Sequence, residues 1–331
     1  FSIGFEEESF DESPHASTVA RLIGSDHDVR MLSAGTALQE LPGLLERLDE
    51  PIADSSLLPT CLLCRHARRK VTVALGGDGA DELFAGYDPF KALRYAAWYG
   101  RLVPRPLHAG IELAIAALPV SHGYMSLDFR LKRTLRGLRH PPPMRLPAWM
   151  GPLSPRELQE LEGVPIDVED LYSEAIEAWE QCRSPDPVDR ATAFFIRLYL
   201  QDDILPKIDR ASMLNSLEVR SPFLDIEVAD FARRLPARFK LRGSTTKWLL
   251  KRAAAQVLPA DIIHRRKQGF AMPVGQWFAD GSIAVDPGRG ADSRFWKRLC
   301  DEHLWKRADH RLALWAKLLA DEVDPIPAPT A

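Results

Sequence analysis

The stretch VTVALGGDGADELFAGY, residues 71–87, couples a β-branched run to a glycine-rich turn and then to a helical pattern. A strand feeding such a turn places backbone N–H groups beside whatever the turn holds, the arrangement used to cradle phosphates. This turn, however, carries Asp78, Asp81 and Glu82 and no lysine. Carboxylates beside a polyphosphate repel it unless a cation lies between them. Mg²⁺ takes one or two carboxylates plus phosphate oxygens, so an acidic turn suits a metal–nucleotide complex. The alternative is that Asp78 and Asp81 are ordinary turn and N-cap residues, and spacing alone leaves both readings open.

Outward from this turn, FSIGF (1–5) reads as a short buried strand. DESPHASTVARLIG (11–24) reads as a helix closed by Gly24, and HDVRML (27–32) as a second strand. A helix around Leu38 to Leu48 precedes the loop DEPIADSSLLPT (49–60), and the helix bearing Cys61 and Cys64 leads into a strand from Val71 to Leu75. Alternating strands and helices predict an α/β fold: a parallel sheet with flanking helices, its ligand beyond the carboxyl ends of the strands. After residue 90 helical patterns dominate. The expected organisation is a partial α/β nucleotide-binding region over 1–90, a mainly helical remainder over 91–322, and a disordered tail over 323–331.

Bulk properties exclude several classes. With 43 basic and 46 acidic side chains in 331 residues, net charge is -3, and no global field recruits nucleic acid or a membrane. The best apolar run, IELAIAALPV, contains Glu112 and ends at a proline, so no membrane span is expected. Four scattered cysteines fit a reducing, cytoplasmic setting, and Cys61 and Cys64 read as buried helix-face residues rather than zinc ligands. The basic segment RLKRTLRGLRHPPPMR (130–145) reads as a solvated helix followed by a linker, with a nucleic-acid stripe as the sharper alternative.

Two further segments carry chemistry. DDILPKIDRASMLNSLEVRSPFLD (202–225) concentrates Asp202, Asp203, Lys207, Asp209, Arg210, Glu218, Arg220 and Asp225 among apolar residues, and Arg220 falls in a proline-marked turn where a charge needs a partner. Structural ion pairs or a substrate pocket would each account for it. GSTTKWLLKRAAAQ (243–256) puts Lys247 and Lys251 one turn apart, where a lysine can reach a phosphate or remain solvated. DIEVADFARRL is read as presenting Val228, Phe231, Ala232 and Leu235 on one face, and KWLLKRAAAQVL as presenting Leu249, Leu250, Ala253 and Val257.

Taken in order, FSIGF, DEPIADSS, GGDGADELFAGY, DRASMLNSLEVRSPFLD, KWLLKRA and RRKQGFAMPVGQW resemble blocks of the synthetase domain of glutamine-dependent asparagine synthetases, over nearly the whole chain. The resemblance implies a PP-loop ATP pyrophosphatase type of fold and an ATP- and Mg²⁺-dependent adenylation of aspartate. Ammonia from a separate glutaminase domain then gives asparagine, AMP and pyrophosphate. Carried over by position, Ile3, Gly76 and Gly77 would contact the nucleotide. Asp81 would ligate Mg²⁺, Asp78 would serve formation of the acyl-adenylate, and Lys247 would neutralise charge on the pyrophosphate. Asp209 and Arg220 are the candidate substrate residues, and a homodimer is a further expectation.

The match departs in places. Gly76 replaces a serine, Ala85 stands where the family prefers glycine, and neither the S-G-G-x-D-S-S pyrophosphate loop nor the glutaminase cysteine is among these residues. These 331 residues alone are therefore not expected to make asparagine, and the start at a mid-sheet hydrophobic residue reads as a fragment. Within the same chemistry the acceptor could be another carboxylate, as in β-lactam synthetases, which use a Tyr–Glu pair that the sequence does not reveal here, or a polysaccharide-associated acid. A non-catalytic scaffold of the same fold is the remaining alternative, against which the presence of Asp78, Asp81 and Lys247 counts.

Overall fold

The structure, a computed structural model, describes residues 1–50, 52–288 and 292–323. Strand β1 (Ser2–Phe5) pairs in parallel with β2 (Val29–Leu32), in register from Ser2 opposite Val29 to Phe5 opposite Leu32. The helix Ser13–Ile23 makes the crossover. Pro14 starts it, and Gly24 ends it at φ 68°, where the Ser25 N–H donates to the Ala20 carbonyl at 3.0 Å. A second parallel pair joins β3 (Val73–Leu75) to β4 (Glu218–Arg220), some 145 positions away in sequence. The sheet component is therefore two small parallel pairs among many helices. The predicted Val71 to Leu75 strand is two residues shorter, and the proline-marked turn expected at 218–225 begins as a strand.

The largest core cluster unites the two ends of the chain. Ile3, Phe5, Leu32, Leu41 and Leu58 pack with Met272, Trp277, Trp315 and Leu318. The helix Arg311–Val323 packs against the helix Ala34–Leu45 that follows β2, and one core spans residues on both sides of position 90. A second cluster gathers Phe90, Leu93, Leu146, Trp149, Trp179 and Phe195, with Tyr87 and Tyr199 at its edge. Cys61 and Cys64 are buried on the helix Leu57–Arg68. Burial pushes the Cys64 thiol up to about 12, which leaves it an inert core group. The expected tail from 324 onward lies outside the described residues; residue 323 belongs to the last helix.

Two expectations about exposed faces are corrected. In the helix Ile226–Arg234, Phe231 is 54% exposed while Ala229, Ala232 and Leu235 pack on Leu83 and Phe84. The helix after Lys247 ends at Ala254, so Val257 lies beyond it and is 72% exposed.

The basic segment is also not a solvated helix with a linker. The helix Leu127–Leu138 turns Arg133 and Arg136 inward, and the proline run opens a second helix, Pro142–Met150. Arg133 donates to the carbonyls of Trp149, Met150 and Gly151 at 2.5, 2.9 and 2.8 Å, and Arg136 to those of Ala148 and Gly151 at 2.9 and 2.5 Å. These are orphan acceptors at a helix C-terminus, where cations are favoured by the macrodipole. Prolines at the start of a helix cost nothing there, because those N–H groups have no helical acceptor.

Candidate active site

Strand β3 ends at Leu75, and the Gly76 N–H donates to the Arg220 carbonyl at 2.8 Å, closing the turn onto β4. That N–H is thus committed to the sheet in this structure. Of the turn's three glycines only Gly79 has a left-handed backbone, at φ 87°, and a Cβ there would sit 2.2 Å from Leu224 Cδ2. A Cβ on Gly77 would meet nothing within 4 Å, so the turn is open on that side. The short helix Ala80–Leu83 follows, with Asp81 and Glu82 in its first turn. Ala85, where the resembling family prefers glycine, is fully buried at φ 55°.

Asp81 is the centre of the cluster. Its Oδ1 lies 2.9 Å from Lys247 Nζ and its Oδ2 lies 3.1 Å from Lys267 Nζ. Burial opposes its charge, but Lys267 and Lys247 outweigh that and hold the carboxyl below its ordinary value. Both carboxylate oxygens thus face an ammonium group, and a carboxylate oxygen is also the donor type that a hard cation takes. Gly86 makes room for the arrangement: a Cβ there would fall 1.8 Å from Asp81 Oδ1 and 2.4 Å from Lys247 Cε. Lys247 itself adopts φ 50°, ψ 38°, pinned by its N–H to the Phe84 carbonyl at 3.2 Å and by its carbonyl to the Lys251 N–H at 2.8 Å. Left-handed backbone at a non-glycine residue costs about 1–3 kcal/mol and collects at functional sites.

On the other side of the turn lies a second group of charges. Burial raises the Asp78 carboxyl above its ordinary value, partly offset by Lys207 and by a hydrogen bond with Ser221. Lys207, buried, donates to Asp54 Oδ2 and Ser56 Oγ, each at 2.8 Å, and Asp54 Oδ1 accepts from the Ser56 N–H and hydroxyl at 2.8 and 2.9 Å. Asp203, on the π-helical segment Phe195–Ile204, is pushed up to about 6, first by burial and then by Asp54. Wide helical turns of this kind occur often at functional sites.

Asp203 gives a stability test. Because its native pKa lies above that of the unfolded chain, the fold should lose stability as pH rises from about 4 to about 6. Asp203→Asn removes the charge and should stabilise the protein by about 2 kcal/mol at pH 7.5. Urea unfolding at both ends of the window should show parent and variant converging near pH 4; a constant gap would contradict the assignment.

Of the residues singled out in the sequence, Asp81 and Lys247 come together at the turn, while Asp78, in the same turn, lies on the side of Lys207 and Ser221. No hydrogen bond or ion pair among the described residues links Ile3 to them. Ile3 lies buried in β1, lining a hollow of about 460 Å³ with Phe5, Phe10, Val19 and Phe270. Asp209 and Arg220 are both exposed. On the helix Leu205–Met213, Lys207 and Ala211, four apart, face inward, and Asp209 falls on the exposed side. Alternation along β4 turns Val219 inward and Arg220 outward, where its Nε donates to Glu218 Oε1 at 2.7 Å in a largely exposed pair.

Within the block GGDGADELFAGY, the Tyr87 hydroxyl donates to buried Glu82 five positions earlier. Burial, reinforced by Glu82, pushes the phenol far above its ordinary value, so it acts as a donor and not as a base. Lys267 and Asp54 were not named as site residues, and Lys207 and Asp203 were named only within the charged segment 202–225. Each stood inside a quoted block, but only the packing shows which way it points.

The arrangement is a strand–glycine turn–helix joint in an α/β protein, with a carboxylate clamped between two lysines. The chain belongs to the asparagine synthase family, whose model matches residues 1–320. A Mycobacterium bovis protein, named provisionally as a glutamine-hydrolyzing asparagine synthetase, is 33% identical over 96% of this chain and 49% of its own length. The Bacillus subtilis asparagine synthetase (glutamine-hydrolyzing) 1 is 28% identical over 96% of this chain and 50% of its own. A Penicillium rubens protein named amidase chyE is 24% identical over 84% of this chain. The chain spans about half the length of the Mycobacterium bovis and Bacillus subtilis proteins.

Proposed function

We propose that this chain is the synthetase part of an ATP-dependent amidotransferase that adenylates the side-chain carboxylate of aspartate and transfers ammonia to it. The observation that carries the reading is Asp81, a largely buried carboxylate held between Lys247 and Lys267 at the end of a glycine turn. The donor set fits Mg²⁺, a hard cation that takes carboxylate oxygen. Asp81 would hold it, and bound there it would offset the negative charge of the triphosphate.

In the proposed reaction an oxygen of the acceptor carboxylate attacks the α-phosphorus of ATP, and the bond to the β-phosphate oxygen breaks. Lys247 stabilises the charge that grows on the departing pyrophosphate. Asp78, on the turn's other face, orients the acceptor, with Lys207 and Asp54 setting its electrostatic surroundings. Ammonia then attacks the acyl carbon, AMP leaves, and the surplus proton passes to solvent. The ammonia source would be a glutaminase domain, as the names of the relatives suggest for those proteins. A PP-loop type of fold and a cytoplasmic, homodimeric assembly complete the reading. Among the described residues no helix is long and apolar enough to cross a membrane.

A second acceptor remains in play because one relative carries the name of an amidase. The test is pyrophosphate release by the full-length protein with ATP, Mg²⁺ and aspartate. Aspartate-dependent release supports the reading. Release with a different carboxylic acid alone moves the acceptor assignment, and none with any acid removes the adenylation reading.

A further inference from the structure

The helices Asp88–Leu102 and Arg105–Ala116 are joined by Val103 and Pro104 alone, and both pack on the helix Leu127–Leu138. A hydrogen bond of 2.8 Å between the Tyr99 hydroxyl and His108 Nδ1 ties the pair together. The first helix buries Phe90, Leu93 and Ala96. Helical spacing then sends Tyr95, Trp98 and Leu102 to its opposite side, where Trp98 is 70% and Leu102 71% exposed. The second helix adds Leu107 and Leu113, the latter 78% exposed. Large apolar side chains gathered in this way on an outward face mark an interaction surface.

The charges beside them are of one sign. From Pro89 to Leu127 the sequence holds a single carboxylate, Glu112, against four lysines and arginines. Glu112 is already paired with Arg139 and His108. Arg94 and Arg101, both exposed and seven positions apart, flank the apolar stripe, and Arg101 has no ion pair among the described residues. An apolar face of tryptophan and leucine bordered by arginine is the composition of a helix that lies in a membrane interface. We propose that this helix pair is a peripheral docking surface for a membrane rich in anionic phospholipid. Trp98, Leu102 and Leu113 enter the boundary between headgroups and acyl chains, and Arg101 keeps its guanidinium at the lipid phosphates while its stem lies along the apolar surface. The chain's net charge of -3 does not oppose this, because a surface potential acts only within about a Debye length, about 8 Å at physiological salt. A second copy of the chain fits the face less well, since a two-fold contact would set its arginines against one another.

Flotation of the full-length protein with two kinds of vesicle tests the assignment: phosphatidylcholine alone, and phosphatidylcholine mixed with phosphatidylserine. The parent should partition onto the mixed vesicles at least about fivefold more strongly than onto the neutral ones. Trp98→Ala should weaken binding to the mixed vesicles at least about tenfold. Arg101→Gln should weaken it about fivefold and leave neutral vesicles unaffected. Both side chains are exposed, so thermal unfolding of either variant should match the parent. A parent that stays off both vesicles, or binds them equally, overturns the proposal, and so does equal binding by parent and Trp98→Ala. Sedimentation without lipid identifies the other occupant: a dimer that Trp98→Ala dissociates, with no flotation of the parent, makes the face a contact between copies. Neither ATP nor an acceptor acid enters these measurements, so the outcome is independent of the adenylation reading.

Discussion

Asp309→Ala is expected to destabilise the protein by about 3–5 kcal/mol, the cost of leaving a buried cation unpaired. Asp309 is 2% exposed and accepts from Arg307 Nε and Nη2 at 3.2 and 3.0 Å. Arg136 and Arg133 approach the same carboxylate at 3.7 and 3.9 Å. Burial alone would raise its pKa, but Arg307 and then Arg133 outweigh that and hold it well below the ordinary range. The same two inner arginines close the carbonyl end of the helix Pro142–Met150, so removing Asp309 leaves their charges uncompensated where they cannot move to water. Arg307 is less affected, because it also pairs with Glu157 at 2.8 Å. Asp230 provides the contrast: it pairs with Arg233 and Arg234 at 3.4 and 3.1 Å on an exposed helix face. Its alanine variant should change stability by no more than about 0.5 kcal/mol. Urea unfolding of both variants measures the difference, and a comparable small effect in each would refute the structural role assigned to Asp309.

This cluster also marks where sequence reading stops. Arg133 and Arg136 stood in a run rich in charge, and charge runs usually face solvent. What turns them inward is a set of carbonyls supplied by a different helix, and no periodicity within 130–145 encodes that. Strand β4 was illegible for a related reason: three residues cannot show an alternation, and their partner lies at 73–75. Strand β1 and the crossover helix were legible because their signals are local: an apolar β-prone run, then proline and glycine at the helix ends. The glycine turn could be singled out as a candidate site because glycines, carboxylates and a preceding strand coincide within seventeen residues. Lys247 was named through resemblance, whereas the approach of Lys267 to Asp81 could not be read, since it depends on where the 265–273 connection is tied down.

Lys247→Ala is expected to lower the rate of pyrophosphate release by about 10²–10³-fold while leaving the fold intact, the usual penalty for deleting a group that meets developing charge. Stability should hold because Asp81 keeps Lys267 as a partner, and because the backbone bond to Phe84 does not depend on the side chain. The loss should fall on kcat, since the charge on pyrophosphate grows only as the bond to the α-phosphorus breaks, and a group serving that charge acts more on the transition state than on bound ATP. The backbone supports this division of labour. A lysine held at φ 50° gains nothing for stability from that conformation, yet it aims the side chain from the start of the helix Trp248–Ala254 onto Asp81. Steady-state kinetics on full-length protein, with thermal unfolding of the same samples, decides the matter. A raised KM at unchanged kcat would make Lys247 a ground-state contact for the nucleotide, and the charge-stabilising role would have to lie with Lys267 or with the bound metal.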